Sequence, residues 1–147
     1  MGFINPIVIK EHSVRNIKEM VHASLKELGC SEDKLSYFDG FSTISINIEN
    51  LPAINISISN ERLWIWSLLS DLDSECVMNN CAKIVFLLQE KIPYVETGQL
   101  VLGYGENGFE LKALVDPSCL ENKCNLISVL ESFFYCLDGL VRDVLHR

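Results

Sequence analysis

Histidine and tryptophan are scarce, at three and two, and basic side chains run short as well, with 12 Lys and Arg against 20 Asp and Glu over 147 residues. The resulting net charge of −8 does not suit nucleic acid, whose phosphates call for basic patches. No run of Lys or Arg offers a dock on an anionic membrane surface. No apolar stretch reads as long enough to span a bilayer, so membrane insertion is not expected. The opening segment MGFINPIVIKEH lacks the basic leader and small-residue cleavage site of a secretory signal. His12, His22 and His146 stand far apart, without acid or nucleophile partners at a recognisable spacing, and no serine sits in a G-x-S-x-G elbow. These absences argue against an enzyme, a metal centre or a cofactor, and for a cytoplasmic protein.

Cysteine is not scarce: there are six, at positions 30, 76, 81, 119, 124 and 136. An even count invites disulfides, but that inference belongs to small secreted chains. Cys76/Cys81 and Cys119/Cys124 are each C-x4-C, which is not a common zinc spacing. The expectation is reduced, mostly buried thiols packed as small hydrophobes.

What the chain has in plenty is apolar side chains, 48% of the total. A domain near this size buries about 68–70% of its unfolded surface, ample for one core. The densest information lies in FSTISINIENLPAINISISNERLWIWSLL, positions 41–69. Ile44/Ile46/Ile48 and Ile54/Ile56/Ile58 each alternate with Thr, Ser or Asn. Such ladders are strands with one oily and one small polar face. If all six share a face, Ile48 opposes Ile54 and Ile46 opposes Ile56, across a loop Asn50-Leu51-Pro52. A tight Asn60-Glu61 turn then sets Leu63 and Ile65 with the isoleucines, and Trp64, Trp66 and Leu68 beside Asn55 and Ser57. A three-residue turn would exchange the two sets. Either way the polar side carries large apolar groups, and these are covered by the protein's own helices, a second subunit or a client segment.

Around these strands the period changes to that of helices. Ser13 is placed to cap a helix to about Leu28, with Val14, Ile17, Val21, Leu25 and Leu28 on one stripe and Gly29 as its stop. A second helix is expected over about 75–90, its main stripe Val77, Cys81, Ile84, Val85 and Leu88, widened by Met78, Phe86 and Leu87. A helix apolar on more than one side is buried on more than one side, which in a small chain suggests a subunit interface. Two strands follow at about 99–102 and 109–115. Asp116-Pro117 then opens a short turn before a long closing helix. The pattern predicts an α+β single domain of α-β-β-β-α-β-β-α order, with an antiparallel sheet packed by helices. Residues 1–12 read as an N-terminal extension and 13–147 as the domain.

Two motifs have plainer readings. Gly103-Tyr-Gly105-Glu-Asn-Gly108 matches G-x-G-x-x-G, but a dinucleotide site needs a helix after it, and Phe109 onward alternates like a strand. A hairpin turn fits better. Asp71, Asp73 and Glu75 lack the glycine and glutamate of a calcium loop and read as acids at a helix N-terminus.

The succession Phe41-Ser-Thr-Ile, Leu51-Pro-Ala-Ile-Asn-Ile-Ser-Ile, Leu63-Trp-Ile-Trp and Gly98-Gln-Leu-Val-Leu-Gly103, with Leu111-Lys-Ala-Leu-Val-Asp-Pro117 after it, resembles the bacterial type III secretion chaperones of the InvB/SpaK group, the multi-effector or class IB chaperones. The resemblance implies a homodimer, independent of ATP, that holds the non-globular N-terminal segment of secreted effectors extended. Contact with secretion-apparatus components is left open. It implies dimer contacts at Val77, Cys81, Ile84 and Leu88, with strand contributions from Leu100 and Leu102. It implies a client groove of Phe41, Ile44, Ile46, Trp64 and Trp66, with Val21 and Leu25 on the adjoining helix. The N-terminal extension is longer than usual for the group, and Phe41 stands where a polar residue or His is expected. A dimerisation module without a client and a small nucleotide-binding enzyme are the rival readings.

Overall fold

Alternating isoleucines produce strands β1 (Ile44–Ile46) and β2 (Ile54–Ser59), and the Leu63-Trp-Ile-Trp run lies in β3 (Arg62–Leu68), all paired antiparallel in chain order. The computed structural model describes residues 6–30 and 43–146, and the side chains of its first helix from Ile17 onward. The β2–β3 turn is the tight one: Ser59 pairs with Arg62, and Asn60 and Glu61 both take positive φ, 51° and 62°. That backbone matches the twist of a two-residue hairpin. It sets Leu63 opposite Ile58 and Ile65 opposite Ile56, while Trp64 faces Ser57 and Trp66 faces Asn55.

The first hairpin departs from the expected register. Ile46 pairs with Ile54 and Ile44 with Ile56, whereas the sequence suggested Ile48 against Ile54. Ile48 leaves the ladder because it opens a turn. Its carbonyl accepts from Leu51 N at 3.2 Å, and Asn50 adopts a φ of 65°. The connection is longer than Asn50-Leu51-Pro52 but still odd-numbered, so the paired Ile44, Ile46, Ile54 and Ile56 keep a common face.

Strands β4 (Val101–Gly105) and β5 (Gly108–Leu114) form the second hairpin, and the sheet runs β1-β2-β3-β5-β4, all antiparallel. Gly105 pairs with Gly108, whose φ of 123° suits glycine alone. The glycine pattern therefore joins two strands, without the helix N-terminus a pyrophosphate needs.

Helix α1 spans Pro6–Glu27, so Ser13 lies inside it rather than at its start. Proline at the first helical position has no N–H to leave unbonded there. Gly29, at φ 94°, ends the helix as expected, with Cys30 N donating to the Leu25 carbonyl at 3.0 Å. The second helix is two helices, α2 (Ser74–Asn79) and α3 (Cys81–Leu88), broken at Asn80. Asp73 caps α2 by accepting from Cys76 N at 2.8 Å. Asp116 caps the 3-10 turn Pro117–Glu121, and its bonds from Ser118 N and Oγ hold its carboxyl below the usual range. Helix α4 (Lys123–Asp143) follows, capped by Asn122.

The core lies on one side of the sheet, where Ile54, Ile56, Leu63, Ile65, Leu111 and Ala113 meet Val21 and Leu25 of α1 and Leu126, Phe133 and Leu137 of α4. Helix α1 is tied to the start of α4 by a Glu27–Lys123 ion pair of 2.8 Å. Over its 21 residues α4 is long and apolar enough to cross a membrane, contrary to the sequence reading. Its eight buried residues serve the core, which accounts for that composition. The cysteines are unpaired, but only Cys119 is fully buried while Cys81 and Cys124 are exposed, fewer hidden thiols than expected. Burial pushes the thiols of Cys119 and Cys136 up to about 11.

Candidate protein-binding site

Residue spacing places the expected groove residues on both sides of the sheet. Ile44 and Ile46 are half-buried on the helix side of the edge strand β1, packed against the core. Val21 and Leu25 lie on the same side but are fully buried, so they support the surface without forming it. Trp64 and Trp66 stand half-buried on the opposite side. Phe41 lies outside the described residues.

The tryptophan side is a polar shelf with aromatic cover. Trp66 Nε1 donates to Ser57 Oγ at 3.0 Å, and Ser57 Oγ meets Thr43 Oγ1 at 2.9 Å. Ser45 Oγ donates to Asn55 Oδ1 at 2.5 Å. The small polar residues of β1 and β2 thus spend their hydrogen bonds on one another and on the indole. Leu68 and Leu114 are also half-buried there, and a Lys112–Glu110 pair of 2.9 Å borders the row. Beyond it, Leu51, Pro52, Leu68 and Leu145 line a cavity of about 330 Å³ at the end of β3. Among the described residues, β1 has a strand neighbour on one side only.

The expected dimer residues divide similarly. Ile84 and Leu100 are core residues, each 4% exposed, so neither offers contact area. Val77, Leu88 and Leu102 are half-buried, and Cys81 is exposed. The free apolar surface is carried by Val85 of the expected main stripe, at 63% exposure, and by two of the residues that widened it, Met78 at 74% and Phe86 at 72%. Val101 and Tyr104 on β4, and Tyr135 on α4, are exposed too. Helix α3 reads CAKIVFLL, apolar at every position but Lys83. Ile84, Leu87 and Leu88 take the core arc, leaving Cys81, Ala82, Val85 and Phe86 outside. Reading which arc is hidden required knowing where α4 lies, which periodicity alone could not give.

Helix α3, the approach to β4 and helix α4 meet at a cleft of about 270 Å³ lined by Leu87, Leu88, Leu100 and Tyr135. Gly139 lets α3 come close to α4, since a Cβ there would stand 3.3 Å from Leu87 Cδ2. Among the described residues, no group of three or more His, Cys, Asp or Glu is arranged to hold a metal ion.

This is an α+β domain in which helices face one side of a five-stranded antiparallel sheet and large apolar groups remain outside the core. A model of the Invasion protein B family matches residues 29–106. Over 131 residues the chain is 31% identical to the surface presentation of antigens protein SpaK of Salmonella typhimurium, covering 88% of this chain and 96% of that protein. The protein of the same name from Salmonella typhi matches equally, at 31% over 131 residues. The chain belongs to the Invasion protein B family, and with it to the proteins associated with invasion and type III secretion.

Proposed function

We propose that the protein is a cytoplasmic chaperone of bacterial type III secretion that binds the non-globular N-terminal region of effectors and keeps them ready for export. The observation that carries this reading is helix α3, apolar at every position but Lys83 yet covered by its own fold on one arc only. A helix of that kind has a second burial waiting for it. Met78, Val85, Phe86 and Tyr135 on the helices leave roughly 550 Å² outside, more than half of one partner's share of a standard interface. A second copy of the chain is the partner we assign to it.

The client's place is the β1 end of the sheet. A peptide added to the free edge of β1 gains main-chain hydrogen bonds whatever its sequence, and pockets on the two faces select its side chains. Ile44 and Ile46 stand on one face of that position. On the other, the polar shelf leads to Trp64 and Trp66. Contacts spread over two copies offset the entropy lost when an unfolded segment becomes ordered. Secretion-apparatus components are then met by the loaded complex.

Co-expression with N-terminal fragments of effectors tests the proposal. The expected result is a stable complex with one protease-protected fragment per two chaperone chains. A chain that pairs with itself but protects no effector fragment would be a dimerisation module alone.

A further inference from the structure

The expected second helix breaks at Asn80, in the segment that carries the exposed Met78, Val85 and Phe86. Its backbone leaves helical values, at φ −122° and ψ 17°. Its N–H is shared between the carbonyls of Cys76, at 3.1 Å, and Val77, at 3.3 Å. Its side-chain amide turns back as well, with Nδ2 donating to the Cys76 carbonyl at 2.8 Å. Side chains of this type compete with the backbone for the helix's own hydrogen bonds, and such competition is a recognised cause of helix breaks. Beyond the break the helix restarts at once, with Ile84 N donating to the Asn80 carbonyl at 2.9 Å. Neither proline nor glycine occurs between Ser74 and Leu88, so the break is not forced by either.

The break separates two parts of one apolar surface. Met78 belongs to α2, while Val85 and Phe86 belong to α3. On one straight rod these side chains would stand seven and eight residues apart along a single axis. With the break, the angle at Asn80 decides how far Met78 stands from the other two. An interface between identical copies uses the same patch twice, so an error in that spacing is repeated on both sides.

We infer that Asn80 is the positioning residue for self-association, its backbone break shaping the α2–α3 surface to fit a second copy of this chain. The inference rests on the proposed pairing of copies through that surface. Two substitutions separate the break from the side chain. Asn80→Ala removes the amide and supplies the strongest helix former, favouring a continuous helix. Asn80→Gly also removes the amide but keeps the helix weak at that point. Sedimentation equilibrium gives the dimer constant of each, far-ultraviolet circular dichroism the helix content, and thermal melting the integrity of the fold. The expected result is a gain in helix and a dimer weakened at least tenfold for Asn80→Ala, with Asn80→Gly within about threefold of the parent. Asn80→Gln, a second helix-tolerant change, replaces alanine if that variant fails to fold. A dimeric parent whose Asn80→Ala variant pairs equally well overturns the positioning role alone. A parent that stays monomeric at all concentrations overturns the pairing on which it rests.

Discussion

Replacing Phe86 by Glu separates the surface of the subunit from its interior. The ring is 72% exposed, and an aromatic side chain offers about 200 Å². Roughly 140 Å² is therefore open to cover by a partner, about 3.5 kcal/mol of apolar transfer in each copy. A two-fold contact counts it twice, giving about 7 kcal/mol as an upper limit. Association returns area at well below that rate. Even a quarter of it, about 1.8 kcal/mol, weakens the dimer roughly 20-fold, and the carboxylate adds a desolvation cost. Ile84→Asp is the internal control. Ile84 is 4% exposed, so a carboxylate there is buried without a partner and the fold itself should fail. Light scattering over low micromolar concentrations, with thermal melts alongside, reads both. The expected pair is a folded monomer for Phe86→Glu and a collapsed melt for Ile84→Asp. A dimer that survives Phe86→Glu, or a well-folded monomer from Ile84→Asp, refutes the division of α3 into covered and open arcs.

Four further outcomes are expected. Trp66→Phe loses the bond from Nε1 to Ser57, costing about 1 kcal/mol in a denaturant melt; an unchanged midpoint would mean the shelf does not depend on that bond. Trp64→Ala should weaken an effector fragment in calorimetry at least tenfold while dimer mass is kept, and equal affinity would remove the tryptophan side from the client path. Asp73→Ala removes the cap on α2, worth about 1 kcal/mol and near 3 °C in melting temperature for a domain this size. At pH 8 a colorimetric thiol reagent should label Cys81 and Cys124 at once and Cys119 and Cys136 slowly. The latter two are raised to about 11 by burial, and a raised thiol holds its proton, so labelling should quicken only as pH climbs toward that value. Equal rates at pH 8 would contradict the buried placement.

Much of the sheet could be read from alternation alone. The pairing of Ile56 with Ile65 and of Ser57 with Trp64 follows from the tight Asn60-Glu61 turn and period two. The slip at Ile48 did not show because an isoleucine in a turn looks, in sequence, like one more rung of its ladder. Nor did the break at Asn80, since asparagine sits inside many unbroken helices and here acts through side-chain bonds back to Cys76. Residues for the site were read less well than elements. Val21, Leu25, Ile84 and Leu100 are apolar at the right spacing, but spacing cannot tell the inward arc from the outward one when both are apolar. Ile44 and Trp64 share a groove only through the family resemblance; the alternation already set them on opposite faces with a tight turn, and the pleat does so.

Strand order has a mechanical consequence. With β1 and β4 at the two margins of β1-β2-β3-β5-β4, four inter-strand steps of about 4.8 Å separate them, roughly 19 Å in all. The rim bearing Ile44 and the rim bearing Tyr104 are thus insulated by a rigid hydrogen-bonded slab. Whatever docks along one margin leaves the other geometrically untouched, so two attachments need not compete for the same ground.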